Sequence, residues 1–515
     1  MKKYVLILCG VVLAVCGVGA APMETGLVAR IHFAGGAAVA ADPNAAGVAN
    51  DWASPEALAL RQQTLTKLTR SLDAWLYQSA VPTLAGPLQL SPLLADLGQS
   101  EWQLDLRQPT TDTTEFSLAV RLDNNRDQAW LNTLTPVVEA WKMTSPRHHA
   151  RITNVGGWLL LTMGDSPAPV SAAIEPSLQN VWLTADINWG RLGVWYPELR
   201  AYDLPYTRLQ VTGRSGNFEI SGKLFLAQPL PPLEAWQYPS GTIHTPNVSF
   251  TAVRGISSWL KQQPWIASMG LGTLPDQLFT WAMPQVPFQT FAALPLDSAP
   301  AALPVLDRSL NTWLHDGPPN SPFQRLNLIE TNNHVSVVGI PMMAPYFEAK
   351  RDPAGEYLVA GFFPNTPWGK PASTQLLAWE SQPGLVYYHW ENTADRLKIS
   401  PQLYQLLFVF SRHRQLNISS SAGQWLNHLG PTLGTTVTEA FETAPKEVTF
   451  TRTAPAGLTA MELVAFASWL EAPNFPGCDL RLPPPKNFNR PGQPRPGGGP
   501  PVMFPAGPSS FTPTR

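Results

Sequence analysis

Proline constrains this chain more than any other residue type, because it makes up 53 of the 515 residues. That is about twice the usual share of about 5%. Proline lacks a backbone N–H and stops helices, so the sequence predicts short helices joined by many loops. The length predicts roughly two to four domains. The apolar share of 44% is typical of globular proteins and provides material for a sizeable core.

Charged residues are few and balanced. The chain has 35 Lys and Arg against 37 Asp and Glu, and charged residues make up 14% of it. Nucleic-acid binding depends on a basic surface that neutralises phosphates. We therefore expect no nucleic-acid partner.

The N-terminal segment predicts export. Two lysines precede an apolar run over residues 4–21 that ends in small residues, which is the pattern of a secretory signal. We interpret residues 1–20 as a signal peptide cleaved after Ala20 or as a retained membrane anchor, because the run is near the lower length limit of a span. Lipidation at Cys16 is a third alternative. The expected location is the periplasm or cell envelope, with membrane contact only through this segment.

The C-terminal segment, residues 479–515, is rich in proline and glycine. From Leu482 onward it has eleven prolines in 34 residues and no acidic side chain. Such a composition predicts a disordered tail with polyproline II character. Cys478 is the single cysteine beyond the N-terminal segment, which excludes an internal disulfide and a cysteine-based zinc site in the mature chain.

Between the two ends, one order of elements recurs. Residues 114–123 predict a strand, 127–141 a helix kinked or broken at Pro136, and 150–155 with 157–164 a hairpin. Similar units begin near residues 181, 288 and 384. We therefore predict an α+β fold of repeated strand–helix–strand–strand units, with mainly antiparallel sheets packed against short Trp-bearing helices.

The same pattern predicts two domains. Residues 21–226 form the N-terminal α+β domain, 227–247 a Pro-rich linker, and 248–478 the C-terminal α+β domain. The two halves are interpreted as a diverged duplication. Two-residue turns are expected at Gly156-Gly157, Ser215-Gly216 and Asn332-Asn333.

Tryptophan follows the repeats. Eight of the 19 tryptophans directly precede leucine, and a large ring on an amphipathic helix is suited to cover a sheet. Most are therefore expected in the core. The alternative is that loop tryptophans are exposed platforms for sugar rings, and Trp236, Trp368 and Trp379 are the candidates.

Catalytic motifs are weak. Ser258 and Lys261 match the SxxK spacing of acylating serine enzymes, in which the lysine faces the serine across one helical turn. Ser309-Leu310-Asn311 could supply the second motif, but no KTG sequence follows. The alternative is that Ser257 or Ser258 caps a helix. His148-His149 is the only close histidine pair, and His413 lies between two arginines; neither predicts a metal site.

Residues 123–127 have the oxygen spacing of a calcium loop but lack its glycine and its final glutamate. The competing interpretation is that Asp127 caps a helix beginning at Gln128. The other units also place polar residues at this junction, which would form a polar rim if they gathered at one sheet end: Asp186, Asn188, Asp297, Ser298, Asn392 and Thr393.

Residues 114–134 (TEFSLAVRLDNNRDQAWLNTL), together with 433–478, resemble an uncharacterised family of exported bacterial hypothetical proteins with no assigned activity. The resemblance implies export and carries over no site residue. We expect an exported, non-catalytic binding or scaffold protein of the bacterial cell envelope, with no catalytic, cofactor-binding or metal-binding residues, no cofactor, and a partner or ligand that the sequence leaves open. The alternatives are a carbohydrate-interacting envelope protein that uses exposed tryptophan, and an SxxK-type serine hydrolase.

Overall fold

The computed structural model describes residues 26–80, 89–108, 114–123, 125–144, 149–164, 178, 180–196, 199–200, 203–262, 273–284, 290–315, 326–331, 333–340, 344–363, 370–371, 379–398, 417–473 and 475–476. The N-terminal segment and the C-terminal tail lie outside these ranges. Within them, no helix combines the length and the apolar character that crossing a membrane requires.

The fold is built on one large antiparallel sheet of 18 strands, accompanied by a separate pair of short strands. The strands are β1 (Leu27–Phe33), β2 (Trp102–Arg107), β3 (Glu115–Arg121), β4 (His149–Val155), β5 (Trp158–Gly164), β6 (Val181–Ile187), β7 (Tyr206–Arg214), β8 (Asn217–Phe225), β9 (His244–Thr245), β10 (Ser249–Arg254), β11 (Gln277–Ala282), β12 (Thr290–Leu296), β13 (Asn327–Thr331), β14 (His334–Val338), β15 (Tyr346–Asp352), β16 (Gly355–Gly361), β17 (Lys370–Pro371), β18 (Leu385–Asn392), β19 (Thr435–Ala444) and β20 (Glu447–Ala454).

The strand order runs through both halves of the chain without a break. The first half is ordered β4–β5–β3–β2–β1–β6–β7–β8. The second half is ordered β13–β14–β15–β16–β12–β11–β10–β18–β19–β20. Strand β8 pairs with β20 and joins the two halves edge to edge. The predicted α+β class with antiparallel pairing is confirmed.

The helices are α1 (Gly36–Ala41), α2 (Ala46–Trp52), α3 (Pro55–Ala80), α4 (Leu90–Gln99), α5 (Arg126–Thr144), α6 (Trp189–Trp195), α7 (Ser257–Gln262), α8 (Ala299–His315), α9 (Ser421–Leu429) and α10 (Ala460–Glu471). Several are longer than predicted: α3 has 26 residues and α5 has 19. Proline is the first residue of α3, where its missing N–H has no partner to lose. Both α5 and α8 continue through an internal proline, so the predicted break at Pro136 is wrong. Burial of their apolar stripes offsets the roughly 3 kcal/mol that an internal proline costs.

Two of the three predicted hairpin turns have two successive residues with positive φ, and Asn332 of the third lies outside the described residues. Gly156 and Gly157 have φ of 60° and 82°, and Ser215 and Gly216 have 51° and 82°. Two successive positive φ values match the twist of antiparallel strands. These turns connect β4 to β5 and β7 to β8. The turn after Thr331 connects β13 to β14.

The segment 227–247 packs on the sheet of the second half. Trp236, Tyr238 and Ile243 are buried in its aromatic core. The Tyr357 hydroxyl donates to the Gln237 carbonyl at 2.9 Å. This segment is therefore part of the core. The division of the chain into two domains stays a prediction.

Candidate functional site

The first half contains an apolar cavity of about 300 Å³ between three helices and the sheet. Helix α4 forms one wall with Leu90, Leu93, Leu94 and Leu97. Positions spaced by three and four residues share one face of a helix. The whole apolar stripe of α4 is therefore directed to one space.

Helix α5 forms the facing wall. Its lining residues repeat at helical spacing in the same way, and they are Trp130, Leu134, Val137, Val138 and Trp141. Trp130 is only 2% exposed. The two aromatic rings, eleven residues apart in the sequence, lie three helical turns apart along this wall.

The sheet forms the floor of the cavity. Phe116 and Leu118 of β3 are directly paired with Met163 and Leu161 of β5. Leu72 of α3 completes the lining, and all fourteen lining residues are apolar. Because the lining offers no carboxylate, amide or hydroxyl group, the cavity is suited to hydrocarbon.

A polar network fixes α4 to α5 beside the cavity. Asp96 of α4 accepts a hydrogen bond from the Trp130 indole nitrogen at 2.9 Å, and from Arg126 Nη2 at 2.5 Å and Nε at 3.1 Å. The Trp102 indole nitrogen donates to the Leu97 carbonyl at 2.9 Å. The indole N–H groups of Trp130 and Trp102 are thus both hydrogen-bonded, and the ring of Trp130 is held in place at the cavity wall.

On α3, two polar groups have no such network. Thr69 Oγ1 and Asp73 Oδ1 are buried atoms without a hydrogen-bond partner among the described residues. Burial raises the pKa of the Asp73 carboxyl above its ordinary value. Neither residue belongs to the lining of the cavity.

The cavity is partly open, so its apolar walls are in contact with water. An apolar molecule in this space would remove that surface from water, which stabilises a complex by about 25 cal/mol per Å² of apolar surface buried. The cavity is also about twice the ~150 Å³ of an engineered cavity that binds benzene.

The second half also packs a helix against its sheet. Leu303 and Leu306 of α8 are buried against Val335 and Leu358 of the sheet, with Leu294 beside them. The exposed fractions of Leu303 and Leu306 are 2% and 3%. A helix on this sheet can thus bury its leucines directly, so the sheet alone does not dictate the cavity of the first half.

A second polar cluster lies under α10. The Thr251 hydroxyl is 2.8 Å from His389 Nδ1, and His389 Nε2 is 3.7 Å from Glu391 Oε2. Glu391 Oε1 accepts from the Ala460 N–H at 2.7 Å. Burial opposes ionisation of Glu391, but the hydrogen bond and charge of His389 and the Ala460 N–H lower its pKa below the ordinary value. His389 and Glu391 are 6% and 2% exposed. We therefore interpret this cluster as a structural anchor for the start of α10.

The SxxK residues lie on the short helix α7. Ser258 and Lys261 are both exposed. The predicted serine cap is wrong, because Asp276 caps this helix: its carboxylate accepts from the Ser257 and Gly255 N–H groups, each at 3.1 Å. Asn311 lies in α8 and donates to Asp307 at 3.1 Å, and Ser309 lies in the same helix.

The calcium-like residues serve the start of α5. This helix begins at Arg126, two residues before the predicted start, so Asp127 belongs to its first turn. Asp127 accepts from the Gln128 N–H at 2.7 Å and from Asn154 at 2.6 Å. Asn124 lies outside the described residues. Within the described ranges, no group of three or more His, Cys, Asp or Glu could hold a metal ion.

The junction residues of the other units bond locally. Asn188 caps α6 through the Arg191 N–H at 3.1 Å. Asn392 donates to Asp395 at 2.7 Å, and the N–H of Ala299, next to Asp297 and Ser298, donates to Glu356 at 3.2 Å. Asn188 and Asn392 thus have hydrogen-bond partners within the fold.

Two of the three candidate loop tryptophans are buried rather than exposed platforms. Trp236 and Trp379 are 8% and 2% exposed, and their rings pack edge to face with centroids 5.0 Å apart. Trp368 lies outside the described residues. So do four further candidates of the sequence analysis: Cys16, His148, His413 and Cys478.

The comparisons with known proteins give no relative. No protein-family model matches the chain, and neither a curated protein nor a solved structure does. Function must therefore be argued from the cavity and the residues around it.

Proposed function

We propose that this chain is an exported, non-catalytic binding protein of the bacterial cell envelope, and that the cavity between α3, α4, α5 and the sheet holds an apolar ligand or the apolar part of one. The observation that carries the proposal is the cavity itself: 300 Å³ of space lined only by apolar side chains. Ligand sites in proteins are concave, mostly apolar and about 300–1,000 Å³ in volume. Export follows from the signal-like N-terminus and stays part of the proposal.

The cavity favours binding over the alternatives. A pure scaffold gains nothing from apolar walls that are left in contact with water, because burying them would stabilise the fold. Carbohydrate binding by Trp236 or Trp379 would require exposed rings, and both are buried. Acylation at Ser258 would require a substrate pocket and an activated hydroxyl, whereas Ser258 and Lys261 are surface residues.

The test is the binding of an apolar fluorescent dye, N-phenyl-naphthylamine, to the mature chain. We expect saturable binding with enhanced dye emission, and displacement of the dye by medium-chain alcohols. In the variant Leu161→Trp, a larger ring would occupy the cavity, and we expect dye affinity to fall at least tenfold. Failure of the wild-type chain to bind the dye would refute the proposal.

The matched control is Leu160→Trp. Leu160 precedes Leu161 on β5, is half-buried, and by the alternation of a strand lies on the other face of the sheet. The variant Leu160→Trp should leave dye affinity within twofold of the wild type. Equal losses in both variants would show that dye binding does not report on the cavity.

We also propose that the two halves are a duplication built from repeated units whose helices carry core tryptophans. The order β5–β3–β2–β1–β6–β7–β8 corresponds strand by strand to β16–β12–β11–β10–β18–β19–β20. Trp130 and Trp141 of α5, Trp259 of α7 and Trp425 of α9 all contact a hydrophobic core. A structure-based alignment of the two halves that failed to superpose these seven strand pairs would contradict the duplication.

A further inference from the structure

Helix α10 carries apolar side chains on its outer face as well as on its inner face. On the inner face, Leu463, Val464 and Leu470 are buried in a cluster with residues of α3 and α9. On the outer face, Phe466 and Trp469 are each 37% exposed. A helix that is apolar all round is normally covered on every side. The two exposed rings therefore indicate that a further apolar segment covers the outer face of α10.

The two rings belong to a continuous aromatic surface, the α10 patch, which consists of Trp425, Phe466 and Trp469. Phe466 lies between the other two rings, and its centroid is 6.0 Å from that of Trp469 and 6.4 Å from that of Trp425 on α9. Single exposed apolar residues are common on proteins, whereas contiguous apolar patches mark sites of interaction. Surfaces lined by aromatic rings are typical binding sites for proline-rich segments in the polyproline II conformation.

The chain itself leads onto the α10 patch. After α10 it turns back, and the Phe475 ring packs edge to face on Trp469 with the centroids 4.8 Å apart. The Trp469 indole nitrogen donates to the carbonyl of Pro476 at 3.3 Å. Trp469 thus already binds the backbone of a proline at the point where the chain leaves the described fold.

The next prolines of the chain are within reach of the patch. Leu482 follows Pro476 by six residues and begins the sequence Leu-Pro-Pro-Pro over residues 482–485. Six extended residues span up to roughly 20 Å, which is several times the ~5 Å that one turn of α10 separates Phe466 from Trp469. A polyproline II helix has three residues per turn and rises ~3.1 Å per residue. Residues 482–485 would therefore form one turn of ~9 Å, a length that matches the spacing of the rings.

We propose that the α10 patch binds residues 482–485 of the same chain as one turn of polyproline II helix. The inference goes beyond the proposed function, because it assigns an interaction surface outside the cavity and does not depend on the cavity. Proline residues are already restricted to this conformation, so binding them costs little conformational entropy. A short tether also gives the segment an effective concentration on the order of millimolar, so the tail of the same chain is favoured over that of a second copy.

The experiment measures the oxidation of Phe466 and Trp469 by hydroxyl radicals, read by mass spectrometry, in the mature chain and in a chain that ends at Cys478. We expect removal of the tail to raise the oxidation of both residues at least threefold, because the tail shields them from solvent. Tyr196, which directly follows α6 and is 45% exposed, should react equally in both chains and thus reports an intact fold. Equal oxidation of Phe466 and Trp469 in the two chains would overturn the proposal.

A full-length variant that combines Pro483→Gly, Pro484→Gly and Pro485→Gly tests the segment. Three glycines keep the length of the tail but remove the proline rings and the preference for polyproline II, so oxidation of Trp469 should rise as far as in the shortened chain. The matched control replaces three prolines farther along the tail with glycine and should keep the wild-type protection: Pro500, Pro501 and Pro505. Protection that persists in the first variant, or is lost equally in the control, would refute the assignment to residues 482–485. Protection that falls on hundredfold dilution would assign the patch to the tail of a second copy and would likewise overturn the proposal.

Discussion

Replacing Leu161 with tryptophan should stabilise the protein, although enlarging a core residue normally does the opposite. Leu161 lies on the cavity floor, between its partners Leu118 and Ile152 on the adjacent strands. Tryptophan is larger than leucine by roughly 60 Å³, and filling that much of the cavity at ~24 cal/mol per Å³ gains ~1.5 kcal/mol. Tryptophan is also favoured in strands.

The same substitution at Leu358 supplies the contrast. Leu358 is on β16, 5% exposed, and packs in the cluster that contains Leu303 and Leu306 of α8. Overpacking a filled core costs about 1–3 kcal/mol. The two variants should therefore differ in free energy of unfolding by roughly 2.5–4.5 kcal/mol.

The assay is urea unfolding of both variants and the wild type, followed by circular dichroism. A change in midpoint with an unchanged slope reports a change in stability. If Leu161→Trp lowered the midpoint as much as Leu358→Trp does, the space above β3 and β5 would not be available to a side chain. The reasoning from the cavity would then be wrong.

Three further substitutions test the framework around the cavity. Asp96→Ala leaves the Trp130 indole N–H unpaired and should lower the free energy of unfolding by about 1–3 kcal/mol in urea unfolding. Burial opposes ionisation of Glu391, but His389 lowers the pKa of this carboxyl in the folded protein below its ordinary value of 4.5. Ionised Glu391 therefore stabilises the fold above pH 4.5, and this stabilisation is lost as the pH falls through the pKa of the folded state. Glu391→Gln should remove the loss of stability that protonation of Glu391 causes, as measured by thermal unfolding at a series of pH values below about 5. Gly222→Ala on β8 would place a Cβ against a carbonyl oxygen of β7 and against the ring of the residue opposite on β20. The melting temperature of this variant should therefore fall by several degrees. An unchanged melting temperature would contradict close packing at the β8–β20 pair.

Local conformational rules explain what the sequence could predict. The hairpin turns follow from residues that accept positive φ, as at Gly156 and Gly157. Alternation along β5 then directs Leu159, Leu161 and Met163 to the helix-covered face. Proline misled the prediction of helix length. The lost hydrogen bond at Pro136 is local, whereas the burial of Trp130, Val137 and Val138 that keeps α5 continuous is tertiary.

The candidate site could be predicted only in part. The leucines of α4 at positions 90, 93, 94 and 97 form a clear helical stripe, and so do the apolar residues of α5. A stripe predicts burial, but it does not tell whether the opposing side chains meet or leave a space between them.

The position of the cavity follows from a difference between two halves with the same strand order. Between β1 and β2 the first half contains four helices, α1 to α4, whereas the described residues between β10 and β11 contain the single short helix α7. Helices α3 and α4 supply five of the fourteen lining residues. The space therefore lies where these helices meet α5. The second half buries Leu303 and Leu306 of α8 on its sheet, whereas in the first half one wall of the space belongs to α3 and α4. Substitutions on these two helices should thus alter ligand affinity before they alter the sheet.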